Sequence, residues 1–200
     1  MNETERTEQT MEATTGFRPK FAIYHPNTKG TGCALKMSLH PAHDDRDGSI
    51  MMTLVPQKTV GDLHGPVKRF PTFDWEHDIC VKLDFNDLCK MMQVFRGECE
   101  SLEDGKGLFH RSPRYATRIV LRHMLEPTAG YSLEVYRNTP GGSEEDRRAH
   151  IFLMPWEALG VALAFEHSIG VICFGIPKVV PHDVTAYRQA CREARNASAA

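Results

Sequence analysis

The chain has 200 residues, of which 41% are hydrophobic, and a formal net charge of −2 at pH 7. This length and composition predict one compact domain, or two closely fused halves, with a sizeable core. No apolar run in the sequence reaches membrane-spanning length, so we expect no membrane partner. Its six cysteines lack CxxC spacing, which favours reduced thiols in a cytosolic protein over a disulfide or metal framework.

Charge is distributed unevenly along the chain. Residues 1–15 hold four Glu and one Arg, a net −3, and we predict a disordered acidic tail over 1–18. At the other end we predict a second tail over 181–200 that has the potential for a short helix. Residues 105–137 carry six basic and two acidic side chains, a net +4. A local basic segment of this kind is compatible with polyanion binding and also with an ordinary solvated strand face.

The first half of the chain has the pattern of four strands followed by a helix. Residues 21–24 are predicted as a short apolar strand, and apolar and polar residues alternate over 33–39, 50–54 and 79–85, the period expected of half-buried strands. The period then changes to that of an amphipathic helix, with a stripe from Leu88 to Phe95. Asp84 or Asn86 can cap the start of this helix, and Gly97 can end it.

The second half repeats this pattern. We predict strands over 108–111, 115–124, 131–135 and 148–153, and a helix that starts at Pro155 and runs to about residue 168. At an offset of 70, Leu83 matches Leu153 and Phe95 matches Phe165. The fold class is therefore predicted as α+β, a duplicated ββββα unit with halves at about 19–98 and 105–178 in one domain over 19–180. The second helix is apolar on most sides, so we expect another subunit to bury it further.

Two motifs resemble a known family. Residues 29–35, KGTGCAL, are similar to the Lys-Gly-Lys-Ala-Ala-Leu motif of the Whirly family of plant single-stranded-DNA-binding proteins, and residues 73–75, FDW, are similar to its Tyr-Asp-Trp. The resemblance spans roughly 20–178. Kinetoplastid guide-RNA-binding proteins and Pur-alpha repeats share the general architecture.

The resemblance implies a Whirly-like fold, with two antiparallel four-stranded sheets packed crosswise and helices at the core. It also implies a homo-oligomer, a tetramer or a dimer. Single-stranded nucleic acid would lie along the sheet edges between neighbouring subunits, bound largely without regard to base sequence. From the resemblance we expect a sequence-tolerant binder of single-stranded DNA or RNA, with DNA favoured. Its expected role is transcription regulation, and its expected location is the cytoplasm or the nucleoid.

Binding a single strand requires cations for the phosphates and flat side chains for the bases. The outward strand positions of this chain offer both, and Lys29 with Gly30 and Gly32 could hold a phosphate. Trp75 could equally be a lid of the core on the first helix. The candidate nucleic-acid-binding residues are Lys29, Lys36, Trp75, Lys82, Phe109, Arg111, Tyr115, Arg118, Arg122, Tyr136 and Arg137.

Two other classes of function stay open. His40, His43 and Asp44 have the composition of a metal site, which would suit a metal-binding protein or a metal-dependent hydrolase. The intervening Pro41 excludes a helix that presents both histidines on one face. The third class is an oligomeric protein-interaction module. Because no GxSxG, P-loop, dinucleotide fingerprint or Cys/His nucleophile pair occurs, we expect neither an enzyme nor a cofactor.

Overall fold

The structure, a computed structural model, describes residues 20–43, 46–62, 66–139 and 146–176. The two predicted tails, over 1–18 and 181–200, lie outside these residues.

The first half forms an antiparallel sheet and a helix. The sheet order is β1-β2-β3, with β5 along one part of the far edge of β3 and the short β4 along the end of that same edge. The elements are β1 (Lys20–His25), β2 (Cys33–His40), β3 (Ser49–Thr59), β4 (Thr72–Phe73), β5 (Ile79–Leu83) and helix α1 (Phe85–Phe95), with a 3-10 turn at Trp75–His77 between β4 and β5.

The second half forms a four-stranded antiparallel sheet in simple sequence order, followed by a helix. Its elements are β6 (Leu108–Arg111), β7 (Ala116–Met124), β8 (Gly130–Asn138), β9 (Arg147–Leu153) and helix α2 (Pro155–Phe174). Helices α1 and α2 begin 70 residues apart, at Phe85 and Pro155, which is the offset of the sequence repeat. The predicted α+β fold with two antiparallel sheets is confirmed, and among the described residues β4 is the one strand added to the predicted set.

Both helices start where their sequences predict, and in each a carboxylate of the first turn bonds back to the backbone before the helix. At α1, Asp84 Oδ1 accepts from the Asp87 amide at 3.0 Å and Asp87 Oδ2 accepts from the Asp84 amide at 3.1 Å. This reciprocal pair satisfies two N–H groups that a helix start otherwise leaves without partners. At α2, Glu157 Oε2 accepts from the Met154 amide at 2.9 Å. The repeat therefore extends to the first turn of each helix.

The inward faces of both sheets and one face of each helix form a single hydrophobic cluster. Phe95 of α1 makes edge contacts with Tyr131 of β8 and with Phe165 of α2, and the ring centroids are 5.3 and 6.2 Å apart. Burial of each such large side chain stabilises the fold by ~1.5–3 kcal/mol. Cys33 lies in the same cluster, where burial raises its thiol pKa to about 11. This cysteine is therefore a core thiol as predicted, whereas Cys99 and Cys173 are exposed.

Helix α2 is longer than the sequence pattern predicted. It continues to Phe174, because the loop after β2 supplies partners for its last carbonyls: Ala42 N donates to Val171 O and Gly48 N to Ile172 O, both at 3.1 Å. At 20 residues, the helix is long and apolar enough to cross a membrane by length and composition alone. In this structure one face of it packs on β2, β8 and β9. The prediction that no apolar segment reaches that length was wrong.

Strand β3 also differs from its predicted length. It continues through Pro56 to Thr59, although a proline was expected to end it or to place it at an edge. The carbonyl of Pro56 accepts from the Asp74 amide at 2.8 Å, on the side away from β2. The nitrogen of the same residue faces that side too, so the missing N–H removes no bond from the β2 ladder.

Candidate nucleic-acid interface

The outer face of the second sheet, the face turned away from the core, carries an alternating line of aromatic rings and arginines. Phe109 of β6 pairs with Arg118 of β7, Arg118 with Tyr136 of β8, and Tyr136 with Arg148 of β9. Because directly paired residues of neighbouring strands project on the same side, the four side chains form one line across the whole sheet. We call this line the aromatic–arginine row.

Contacts within the row hold its members in place. The guanidinium carbon of Arg118 lies 5.5 Å from the ring centroid of Phe109, and that of Arg148 lies 5.1 Å from the ring of Tyr136, both within cation–π range. Arg118 also donates to the carbonyl of Lys106 at 2.6 Å and to that of Gly105 at 3.1 Å. Phe109 remains 71% exposed. The row is therefore held in place before any ligand arrives, with the Phe109 ring exposed and the Tyr136 ring half-buried.

One carboxylate lies within this basic face. Glu134 accepts hydrogen bonds from the Tyr136 hydroxyl and, at 2.6 Å, from Arg148. Burial acts to raise the pKa of Glu134, but these two bonds and the charge of Arg148 outweigh it and hold the pKa below its usual value. The same bond raises the pKa of Tyr136. The carboxylate is therefore ionised and paired, so its charge opposes a polyanion less than a free carboxylate would.

An open cleft of about 540 Å³ extends from the row toward the end of β8. His110 lines this cleft and places its Nε2 atom 3.1 Å from Asp87 Oδ2, in the capping pair of α1. The hydrogen bond with Asp87 raises the pKa of His110. The lining residues are Phe109, His110, Arg111, Ala116, Thr117, Arg118, Tyr136 and Asn138.

Five of the predicted binding residues share this outer face: Phe109, Arg118 and Tyr136 in the row, Arg111 at its near end and Arg122 further along β7. Arg111 and Arg122 are both exposed. The structure adds Arg148, which the sequence did not single out. The alternation along 147–153 was a signal for it, but the register that pairs it with Tyr136 is not visible in a sequence.

Tyr115 and Arg137 lie elsewhere and form a link between the two sheets. The Arg137 guanidinium stacks 4.9 Å from the Tyr115 ring centroid and donates to the carbonyl of Cys80 in β5. It also donates to Thr117 Oγ1 at 3.4 Å. These contacts direct the arginine toward the first sheet, so its side chain is not part of the outer face.

The first sheet carries a smaller cation–aromatic pair. Lys36 Nζ lies 5.0 Å from the ring centroid of Trp75, which sits in the 3-10 turn and is 42% exposed. Trp75 is therefore not a buried lid on α1. Lys82 is exposed on β5 of the same sheet. These three predicted residues belong to a different surface from the aromatic–arginine row.

The loop around Lys29 is built by one buried side chain. Gln57 Oε1 accepts from the amides of Asn27 at 2.8 Å and Gly32 at 3.1 Å. Asn27 Oδ1 in turn accepts from the amides of Lys29 and Thr31, each at 3.0 Å. The backbone N–H groups expected to hold a phosphate are thus engaged inside the loop. The side chain of Lys29 is exposed and can contact a ligand.

The residues of the predicted metal site are only partly described. Asp44 lies outside the described residues, His40 ends β2, and His43 lies in the loop whose Ala42 and Gly48 amides bond to the end of α2. Within the described ranges, the side chains that bring three potential ligand atoms within 4.8 Å of one another are those of Asp74, Glu76 and His77. His77 Nδ1 and Asp74 Oδ2 are 2.8 Å apart, so these two already form an ion pair or hydrogen bond on the surface.

No protein-family model matches the sequence, and no curated protein matches it by sequence. Its fold does match solved structures. WHY1 from Arabidopsis thaliana is 14% identical, with a TM-score of 0.62 over 90% of this chain and 94% of that one. WHY3 from the same plant is 14% identical, with a TM-score of 0.57 over 88% and 98%. The plant transcriptional regulator PBF-2 is 14% identical, with a TM-score of 0.59 over 90% and 89%. The chain therefore has a Whirly-like fold, as the two motifs predicted.

Proposed function

We propose that this protein binds single-stranded nucleic acid with little sequence preference, across the outer face of its second sheet, and that it favours DNA over RNA. The aromatic–arginine row is the observation that carries the proposal. A sequence-tolerant binder needs rings on which any base can stack and cations that follow the backbone, and the row alternates the two. Neither base stacking nor phosphate contact requires a reacting group, so we propose a binding protein and not an enzyme.

The charge of the outer face supports the same conclusion. Its strand positions hold four arginines, at 111, 118, 122 and 148, against Glu134, so the formal sum is +3 on a chain whose net charge is −2. A polyanion would be attracted to this face rather than to the molecule as a whole.

We also propose a biological setting for this binding. One solved structure with the same fold is that of a plant transcriptional regulator, and we propose transcription regulation for this chain as well, in the cytoplasm or on the nucleoid. Imaging of a tagged protein would check the location.

We further propose that the protein is a homo-oligomer, a tetramer or a dimer. Helix α2 leaves an apolar face in solvent, on which Trp156 is 66% exposed and Leu159 is 60% exposed. An apolar face of this kind on a helix marks a surface for association. A second copy of the chain would bury it and would also bring two outer faces into one assembly, which increases the apparent affinity for a long strand.

Replacing the central ring of the row tests the proposed function. Tyr136→Ala should weaken binding of oligo(dT) by ~1–3 kcal/mol, about 5- to 150-fold, because one base loses its stacking partner. Tyr136→Phe keeps the ring and should retain most of the affinity. Fluorescence anisotropy with labelled single-stranded DNA, single-stranded RNA and duplex DNA would measure these affinities.

Phe70→Ala is the matched control, since Phe70 is an aromatic side chain with 74% exposure away from the second sheet. Its affinity should equal that of the wild type. Circular dichroism would confirm that each variant is folded. Absence of binding by the wild type to both single-stranded DNA and single-stranded RNA at low salt would refute the proposed function.

A further inference from the structure

We infer that the outer face has a second base-binding subsite, in a cleft at the far end of its strands, which takes one base of the strand bound at the aromatic–arginine row. This inference rests on the proposed function and goes beyond it, because it assigns a path along β8 and β9 and the minimum length of the bound nucleic acid.

The cleft lies between β9 and the turn that follows β7, and its volume is about 400 Å³. Volumes of this order are typical of small-molecule sites, which are mainly apolar with a few polar groups. The apolar lining comes from Met124, Pro127, Phe152 and Met154, and the polar lining from Glu126, Thr128, Ser132 and His150.

Phe152 is the side chain on which a base would stack. It projects on the outer face of β9, opposite Ser132 of β8, which in turn pairs with Arg122 of β7. The ring lies directly against the backbone of Gly130, where an added Cβ would be 2.5 Å from Phe152 Cζ. The Phe152 ring can occupy this position because Gly130 has no side chain. The ring is only half-buried.

Polar groups stand at the wall of this cleft. Ser132 Oγ and His150 Nε2 are 3.1 Å apart, so the pair leaves further hydrogen-bonding capacity on the hydroxyl and on the other ring nitrogen. Arg122 is exposed on the strand position beside Ser132 and can contact a phosphate. A base needs a flat apolar contact and polar groups at its edge, and its nucleotide needs a cation. All three are present here.

The spacing of the two subsites fits one continuous strand. Arg148 and Phe152 are four residues apart on β9, as are Tyr136 and Ser132 on β8, which corresponds to about 13 Å along a strand. At about 3.4 Å per nucleotide of stacked strand, this distance is roughly four nucleotides. The line between the subsites passes Glu134, whose charge Arg148 offsets. A strand of about five or six nucleotides is therefore the shortest that reaches both.

A ladder of oligo(dT) lengths from about two to about twelve nucleotides tests the inference. The wild-type affinity should rise in a step as the length passes about five nucleotides, because a tethered second contact adds to the first. Phe152→Ala should remove this step, by about 5-fold or more, and leave the affinity for shorter strands unchanged. An abasic nucleotide at one end of a six-nucleotide strand should reproduce the loss in the wild type and have no further effect in Phe152→Ala.

Leu125→Ala is the matched control, since Leu125 is apolar, 72% exposed and close in sequence to the cleft but does not line it. It should keep the step. If circular dichroism shows that Phe152→Ala is unfolded, the affinity of the wild type for the abasic strand tests the inference by itself. If the step persists both in Phe152→Ala and with the abasic strand, the second subsite is overturned. The proposed function is then still tested separately by the Tyr136 variants. A wild type that binds no strand of any length overturns both.

Discussion

His110 connects the proposed interface to the start of α1. Its imidazole lines the cleft beside the aromatic–arginine row, and its hydrogen bond with Asp87 raises its pKa in the folded protein. Asp87 is also half of the capping pair that starts α1. Protonation of a single side chain therefore affects both the charge of the cleft and the stability of the helix start.

We predict that this contact makes stability depend on pH. A raised pKa in the folded state means that the contribution is complete below the unfolded pKa, about 6.5. It is lost as the pH rises through the folded pKa. The free energy of unfolding should fall by about 1 kcal/mol over that interval, the scale of a hydrogen bond between charged groups that solvent partly screens. Urea titrations from acid to mildly alkaline pH would measure it.

His110→Gln should flatten this part of the profile, whereas His167→Gln, an exposed histidine of α2, should leave it as in the wild type. Equal profiles for His110→Gln and the wild type would contradict the role given to the contact.

The residue-level features that the sequence predicted correctly are those set by near neighbours. Asp84 was a predicted cap, and its partner Asp87 is three residues away. The Lys29 loop shows the opposite case, because its amides are engaged by a network that depends on Gln57, which is far away in sequence. A glycine-containing turn looks like a phosphate loop until that distant side chain is placed.

Helix α2 shows which features of a helix the hydrophobic periodicity of its sequence can predict. Its apolar residues are spread over most sides, so the pattern predicted a buried helix but not its end, which depends on amides from the loop after β2. One face is buried through Ala158, Val161 and Phe165, and the opposite face is left in solvent. Packing within the single chain therefore accounts for the buried face of α2 but not for its exposed apolar face.

We predict that a charge on this face separates the subunits. Leu159→Glu would place a carboxylate in the apolar contact between copies, where its desolvation is unfavourable. It should convert the assembly to a monomer in sedimentation velocity while the fold persists. Leu125→Glu, at an exposed apolar position outside the helix, should not change the sedimentation. A wild type that is monomeric at every concentration, or that partitions into lipid vesicles through α2, would contradict the proposed oligomer.

For the whole molecule, the duplication was the part of the fold that the sequence predicted best. Strand and helix periods are local, and their repetition at an offset of 70 places the helix starts correctly. The candidate site was predicted only in part, because it is defined by register across four strands. Phe109, Arg118 and Tyr136 were identified singly, and strand pairing alone aligns them with Arg148 and separates them from Arg137.

The salt dependence of oligo(dT) binding tests the central claim most directly. Each phosphate contact on a single strand contributes about −0.7 to the slope of log K against log salt, so the four arginines of the outer face predict a slope of about −2 to −3. Arg148→Gln should reduce the slope by about 0.7, and Arg96→Gln, an exposed arginine at the end of α1, should leave it unchanged. A slope near zero, or an equal slope for Arg148→Gln and the wild type, would contradict binding on this face.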